Sequence, residues 1–260
     1  MKILFIGDVV GNLGRKTVKE MIPKIKKEYG IDFCIANCEN AAGGSGITYV
    51  VAQELYKSGI DGITMGNHTW SKKEILNFIE SDPKIVRPAN FPRETPGTGS
   101  TILEKDKLKL GLINVQGRVY MSAADCPFKA AERELETLKK QVKVVIVDIH
   151  AEATSEKCAL AWYLDGRASC VFGTHTHVQT ADERILPNGT AYLTDVGMTG
   201  PYEGIIGMDR DIIIKKLILH MPERFELAQG KVQFNAVVVD VDERTGRTNS
   251  IVRINKVLEL

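Results

Sequence analysis

The sequence predicts an α/β fold with one large mixed sheet or two packed sheets, and three observations carry that prediction. Short apolar runs alternate with helix-spaced segments through the first half of the chain, the second half is richer in strands, and one apolar run after another ends in polar residues. With 260 residues and no repeat, low-complexity tract or linker, one domain over residues 1–260 is expected. Two loop insertions, Pro88–Ser100 and Pro201–Pro222, are candidate lid segments.

The elements follow in order. KILFIGD is a strand ending on Gly7-Asp8, and NLGRKTVKEMIPKIKKEY after it has helical apolar spacing with a stop at Gly30. DFCIAN is the next strand, followed by the glycine-rich AAGGSGIT and a helix near Tyr49–Ser58. DGITMGNH is a strand running to Asn67-His68, with a helix expected near Ser71–Glu80. The proline-bearing RPANFPRETPGTGS is a connecting loop. KLKLGLINV and KVVIVDIH are strands, the second leading to a helix at about Ser155–Leu164 that Thr154 or Ser155 can cap. ASCVFGTHTH is a short strand with its loop. RILPNGTAYLTDVG is a hairpin around Pro187-Asn188-Gly189, and VQFNAVVVDVDERTGRTNSIVRINKVLEL a second with its turn near Arg244–Arg247.

Composition excludes several classes. Lysine plus arginine total 34 against 33 acids, so the net charge of +1 gives no overall attraction to nucleic acid or an acidic membrane. Basic stripes interleaved with aromatics are absent, so no extended nucleic-acid binding is expected. The five cysteines are odd in number and form no C-x-x-C pair, which fits reduced thiols and a cytoplasmic location. The N-terminal apolar run is too short for a signal peptide and far below the ~20 residues of a membrane span. Gly7, Gly11 and Gly14 are spaced G-x-x-x-G-x-x-G, matching neither a dinucleotide-binding loop nor a Walker motif. Homo-oligomerisation is left open.

In open α/β folds ligands bind beyond the carboxyl ends of the strands, where Asp8, Glu39-Asn40, Asn67-His68, His150 and His175/His177 all fall. Any one of these histidines is more commonly a hydrogen-bonded structural residue. Four of the five histidines in such loops, with acids and amides beside them and only His220 elsewhere, favour a metal centre. Imidazole, carboxylate and amide donors without thiolate suit Mn, Fe or Zn in hydrolytic work. A bend within His175-Thr176-His177 aims one ring at each of two ions, and ions about 3.5–4 Å apart can clamp both the attacking and the leaving oxygen of a phosphoryl displacement. Gly43–Gly46 can approach a phosphate or simply form a turn. Asp148 and Glu152 flank His150 as candidate imidazole partners; Arg118 suits a phosphate or a salt bridge, and Asp195 also ends an apolar run.

The ordered motifs GD (Gly7-Asp8), GNH (Gly66–His68), His150 and GTHTH (Gly173–His177) resemble the calcineurin-like metallophosphoesterase superfamily. Val9-Val10 stands where that superfamily has its first histidine ligand, and NCENAAGGSGIT replaces GD-x-x-D; with GDVVGNLGR, HAEATSEK and GTHTHVQTAD, these departures resemble the YmdB-type branch from Met1 to about Met208. The resemblance implies a sandwich of two mixed sheets flanked by helices. It also implies a phosphodiesterase that hydrolyses 2′,3′-cyclic nucleotides and related small phosphodiesters to nucleoside monophosphates. Two divalent or trivalent ions are implied, Fe or Mn first, with Zn or Mg tolerated. Asp8 and His177 would bind one ion, with Asn40 filling the vacant histidine position. Asn67, His150 and His175 would bind the other, and Glu39 would bridge. A hydroxide between the ions would attack phosphorus, while His68, off the metals, would protonate the leaving oxygen, a contribution of roughly 10²–10⁴-fold. Two rival readings are a broad-specificity phosphomonoesterase and a metal-dependent regulatory protein that binds a nucleotide or a partner with little turnover.

Overall fold

Alternation in the first strand sets the architecture. In the computed structural model, which describes residues 1–259, β1 (Lys2–Ile6) sends Ile3 and Phe5 to one face and Leu4 and Ile6 to the other, and all four are fully buried. A strand buried on both faces belongs inside a layered fold. After it come β2 (Asp8–Val9), α1 (Gly11–Tyr29), β3 (Phe33–Asn37), α2 (Tyr49–Lys57), β4 (Gly62–Thr64), a 3₁₀ turn (Lys73–Asn77), β5 (Ile85–Val86), β6 (Ser100–Lys105) and β7 (Leu108–Gln116). The second half runs α3 (Pro127–Leu138), β8 (Val145–His150), α4 (Thr154–Tyr163), β9 (Cys170–Thr174), β10 (Arg184–Ile185), β11 (Ala191–Leu193), β12 (Met198–Pro201), α5 (Arg210–Leu219), β13 (Val232–Val241) and β14 (Thr248–Leu258).

Two mixed sheets result, as expected. One has the order β2-β12-β13-β1-β3-β4-β5, with β14 also paired to β13; the other is β10-β11-β9-β8-β7-β6. Ile3, Phe5, Leu112, Ile146 and Phe172 fill the space between them, and the rings of Phe5 and Phe172 meet across it at 5.4 Å between centroids. Helices α1 and α2 cover the outer face of the first sheet and α3 and α4 that of the second. Within each sheet the central strands β1, β3 and β4, or β7, β8 and β9, are parallel, so their carboxyl ends lie together.

Both hairpins form, β10 with β11 and β13 with β14. The helix expected near Ser71–Glu80 is only the 3₁₀ turn at Lys73–Asn77. Ile75, Phe78 and Ile79 bury themselves from a series of tight turns, and the extended φ of −140° at Phe78 ends the turn. Neither Thr154 nor Ser155 caps α4: its N-cap is Ala153, with no side-chain bond. Helices α3 and α5 and strands β5, β6 and β12 are further elements beyond those expected, β6 starting at Ser100, the last residue of the expected connecting loop. In α3 the buried Ala131, Leu135 and Leu138 share one face, whereas α5 buries none of its residues.

Candidate metal centre

Each strand end delivers one part of the centre. Asp8 follows β1, Glu39 and Asn40 follow β3, Asn67 and His68 follow β4, His150 ends β8, and His175 and His177 follow β9. Asp8, Glu39, Asn40 and His150 are buried. Gly66 is required by closeness: a Cβ there would collide with the His150 ring and the Glu39 carboxylate.

The polar atoms converge on Glu39. Its Oε1 lies 3.1 Å from both His150 Nε2 and His68 Nδ1, and its Oε2 accepts the His68 backbone N–H at 2.8 Å. His150 Nε2 is also 3.0 Å from Asn67 Oδ1 and 3.1 Å from His175 Nδ1. Glu39, His150 and His175 thus offer ligand atoms within 4.8 Å of one another. On the other side of Glu39, His177 Nε2 sits 3.2 Å from Asn40 Nδ2 and 3.9 Å from Asp8 Oδ1. Asp8 Oδ2 accepts the His175 backbone N–H at 3.1 Å, but Asp8 Oδ1 is buried with no hydrogen-bond partner.

The outer nitrogen of each imidazole fixes its tautomer. Thr174 Oγ1 donates to Asp148 Oδ1 at 2.8 Å, so it accepts from His150 Nδ1 at 2.9 Å and leaves Nε2 turned to the centre. His175 Nε2 meets Glu152 Oε2 at 3.2 Å, which leaves Nδ1 inward; His177 Nδ1 donates to the Ile206 carbonyl at 2.9 Å, which leaves Nε2 inward. The inward nitrogens of His150 and His175, the Glu39 carboxylate and Asn67 Oδ1 therefore face one another, a donor set that only a cation or a proton reconciles. The orphaned Asp8 Oδ1 and these tautomers fit a metal.

Protonation shows the same demand. Burial disfavours charge on His150, yet Glu39, Asp8 and Asp148 together push it up to about 9, so a proton there serves as the cation. Burial and the His150 charge push His175 down to about 3, since two adjacent rings cannot both be charged. Burial would raise Glu39, but His150 and His68 hold it well below the carboxylate range. Burial raises Asp8 more than His177 and His150 lower it. The hydrogen bond that His68 donates to Glu39 raises His68 despite partial burial.

All eight sequence-predicted residues meet in this cluster. The bend in the His-x-His loop is real: His175 and His177 have φ of 102° and 65°, and their rings face opposite sides of Glu39. Between them Thr176 donates its N–H and its hydroxyl to Asp195, which a fully buried Lys157 holds at 2.7 Å. Asp148 reaches His150 indirectly, through Thr174 and Asn37, and Glu152 partners His175 instead of His150. Arg118 is exposed and bonded through its backbone alone, its N–H to Glu156 and its carbonyl to the Met121 N–H. Thr174, Lys157 and the Ile206 carbonyl are additions to the expected set; of these only Thr174 carries a sequence signal, lying inside GTHTH.

A cavity of about 680 Å³ opens over the centre, lined by Glu39, Asn40, His68, His175 and His177, by Gly43–Ser45, and on the facing side by residues 205–227. The Pro88–Ser100 loop contributes nothing to that lining. No helix among the described residues is long and apolar enough to cross a membrane.

Comparison with known proteins agrees with this fold. The family model described as "YmdB-like protein" matches residues 4–254. A "2′,3′-cyclic-nucleotide 2′-phosphodiesterase" of Bacillus subtilis (strain 168) is 55% identical over 254 residues, 98% of this chain and 96% of that protein. Among solved structures, a novel phosphatase of Mycoplasma pneumoniae superposes with a TM-score of 0.93 at 36% identity, covering 100% of this chain and 94% of that one. A hypothetical protein from Thermus thermophilus gives 0.92 at 44% identity, with 99% of each chain covered.

Proposed function

The chain belongs to the YmdB-like family, and from that premise we propose that it is a phosphodiesterase that opens 2′,3′-cyclic nucleotides at the P–O2′ bond to give 3′-monophosphates. The observation that carries this reading is the convergence of inward-turned imidazole nitrogens and Asn67 Oδ1 on the buried Glu39, beside the orphaned Asp8 Oδ1. Asp8, Asn40 and His177 would hold one ion and Asn67, His150 and His175 the other, with Glu39 shared by both groups. Imidazole with oxygen donors and no thiolate favours Fe or Mn. When bound, the ions polarise the phosphoryl oxygens and bring the pKa of the attacking water toward ~7.

The chain's own groups do the rest. Gly43–Ser45 present backbone to the cavity beside Asn40, where a phosphate can approach closely. His68 lines the same cavity, half-exposed, with Nδ1 tied to Asn40 Oδ1 at 2.8 Å and to Glu39. With Nδ1–H held by these two oxygens and Glu39 favouring the charged ring, the His68 imidazolium gives its Nε2 proton to O2′ as the ester bond breaks, while the attacking water supplies the new oxygen on phosphorus. Ligands from Asp8 to His177, drawn from both sheets, support reading the chain as one domain, and five free cysteines support a reducing, cytoplasmic setting.

The test is turnover of 2′,3′-cyclic AMP by manganese-loaded protein with the two monophosphate isomers resolved. Only 3′-AMP is expected. No product from protein carrying metal would overturn the activity, and 2′-AMP would overturn the choice of bond.

A further inference from the structure

The facing wall of the cavity is made differently from the metal side. Ile205–Met208 form a two-residue hairpin, with Ile205 and Met208 exchanging backbone hydrogen bonds. Both central residues have positive φ, 47° at Ile206 and 92° at Gly207. Asn-Gly is the usual occupant of such a turn, and a β-branched residue there is strained. The strain places two groups at once: the Ile206 carbonyl on His177 Nδ1, and the Ile206 side chain on the cavity. Met208, Ile213, Phe225 and Leu227 continue an apolar surface from that side chain, and Lys216 Nζ lies 4.1 Å from the Phe225 ring centroid, fixing the ring.

We infer that this wall is a nucleobase shelf that binds any of the four bases by contact alone. The inference rests on the phosphodiesterase reading and deepens it. With phosphate and ribose at the polar end, a flat, largely apolar group is what the opposite end can take, and the cavity volume suits a whole nucleotide. The wall has little with which to read a base edge. The carbonyls of Ile205, Ile206, Gly207 and Met208 already accept from Met208, His177, Ala228 and Ile205. Glu152 and Thr176 are engaged with His175 and Asp195. A surface with few free donors or acceptors gains from the π-face that all bases share, and that energy can be used at the reacting bond.

The experiment compares kcat/KM for the 2′,3′-cyclic phosphates of adenosine, guanosine, cytidine and uridine with that of ribose 2′,3′-cyclic phosphate, which lacks a base. The four nucleotides should agree within about tenfold and exceed the baseless compound by roughly tenfold or more, the range of base–aromatic contacts. In Phe225→Ala and, separately, Ile213→Ala, the advantage of nucleotide over baseless substrate should shrink severalfold. Phe225 is 45% exposed, so its loss spares the core, and a thermal melt checks folding. Equal turnover of the baseless compound, or preference for one base beyond a hundredfold, overturns the shelf. If no substrate turns over, the phosphodiesterase reading fails by itself. Calorimetric binding of 3′-AMP against ribose 3-phosphate then decides the shelf, with equal affinity counting against it.

Discussion

Two walls of one cavity are held in opposite ways. On the metal side Asp8, Glu39 and His150 are at most 1% exposed, and all three imidazoles are gripped from behind, by a hydroxyl, a carboxylate and a carbonyl. On the facing side Ile206 is 52% and Phe225 45% exposed, and α5 buries none of its ten residues. Where like-natured lone pairs must be forced together, the fold fixes every neighbour; where a base is to be met by contact, few native interactions constrain the segment. Damage should accordingly be catastrophic on one side and graded on the other.

The most severe test of that contrast is Glu39→Gln. It leaves the shape but removes the charge at the buried carboxylate on which His150 and His68 converge. The expected loss in kcat is about 10⁴-fold, roughly 5.5 kcal/mol of barrier, with bound metal falling in parallel by elemental analysis. Full metal content with unchanged rate would break the contrast. Lys157→Met comes next. It strips the partner from Asp195, which holds Thr176 between the two histidines, and breaking a buried ion pair from one side costs about 3–5 kcal/mol. The urea midpoint should fall accordingly, and a change below about 1 kcal/mol would mean that the loop does not depend on this anchor.

These tests also mark what was legible in the sequence. The eight site residues could be read because each follows an apolar run, and strand ends share an edge whatever the loops do. Lys157 could not: it sits on α4, and nothing in TSEKCALAWY separates a fully buried lysine from a solvated one. The Ile206 carbonyl was equally hidden, since a backbone acceptor has no residue signature and Ile-Gly is a poor advertisement for a turn that favours Asn-Gly. Helix α3 had a signal, a proline at its first turn and one apolar face, whereas α5 is apolar around its surface and has no face to detect.

A milder probe on the metal side is Thr174→Val, which keeps the volume but takes the acceptor from His150 Nδ1 and a donor from Asp148. The ring is then free to choose the wrong tautomer, and loss of such an orienting partner lowers metal affinity by about 10–100-fold. Competition with a chelator would read that change. Affinity within twofold of the parent would mean that packing alone orients the ring.

The smallest expected effect belongs to α5, where Leu217 and Ile218 are 66% and 70% exposed. Replacing either with lysine removes little buried area, and exposed substitutions of this kind stay within about ±0.5 kcal/mol. The helix also keeps its N-cap, since the Asp209 side chain accepts from the N–H groups of Asp211 and Ile212. An unchanged urea midpoint is therefore expected for Leu217→Lys and Ile218→Lys, at every protein concentration. A drop above about 1 kcal/mol that vanishes on dilution would mean that another copy covers this face, and the second wall would then be buried by association as the first is by folding.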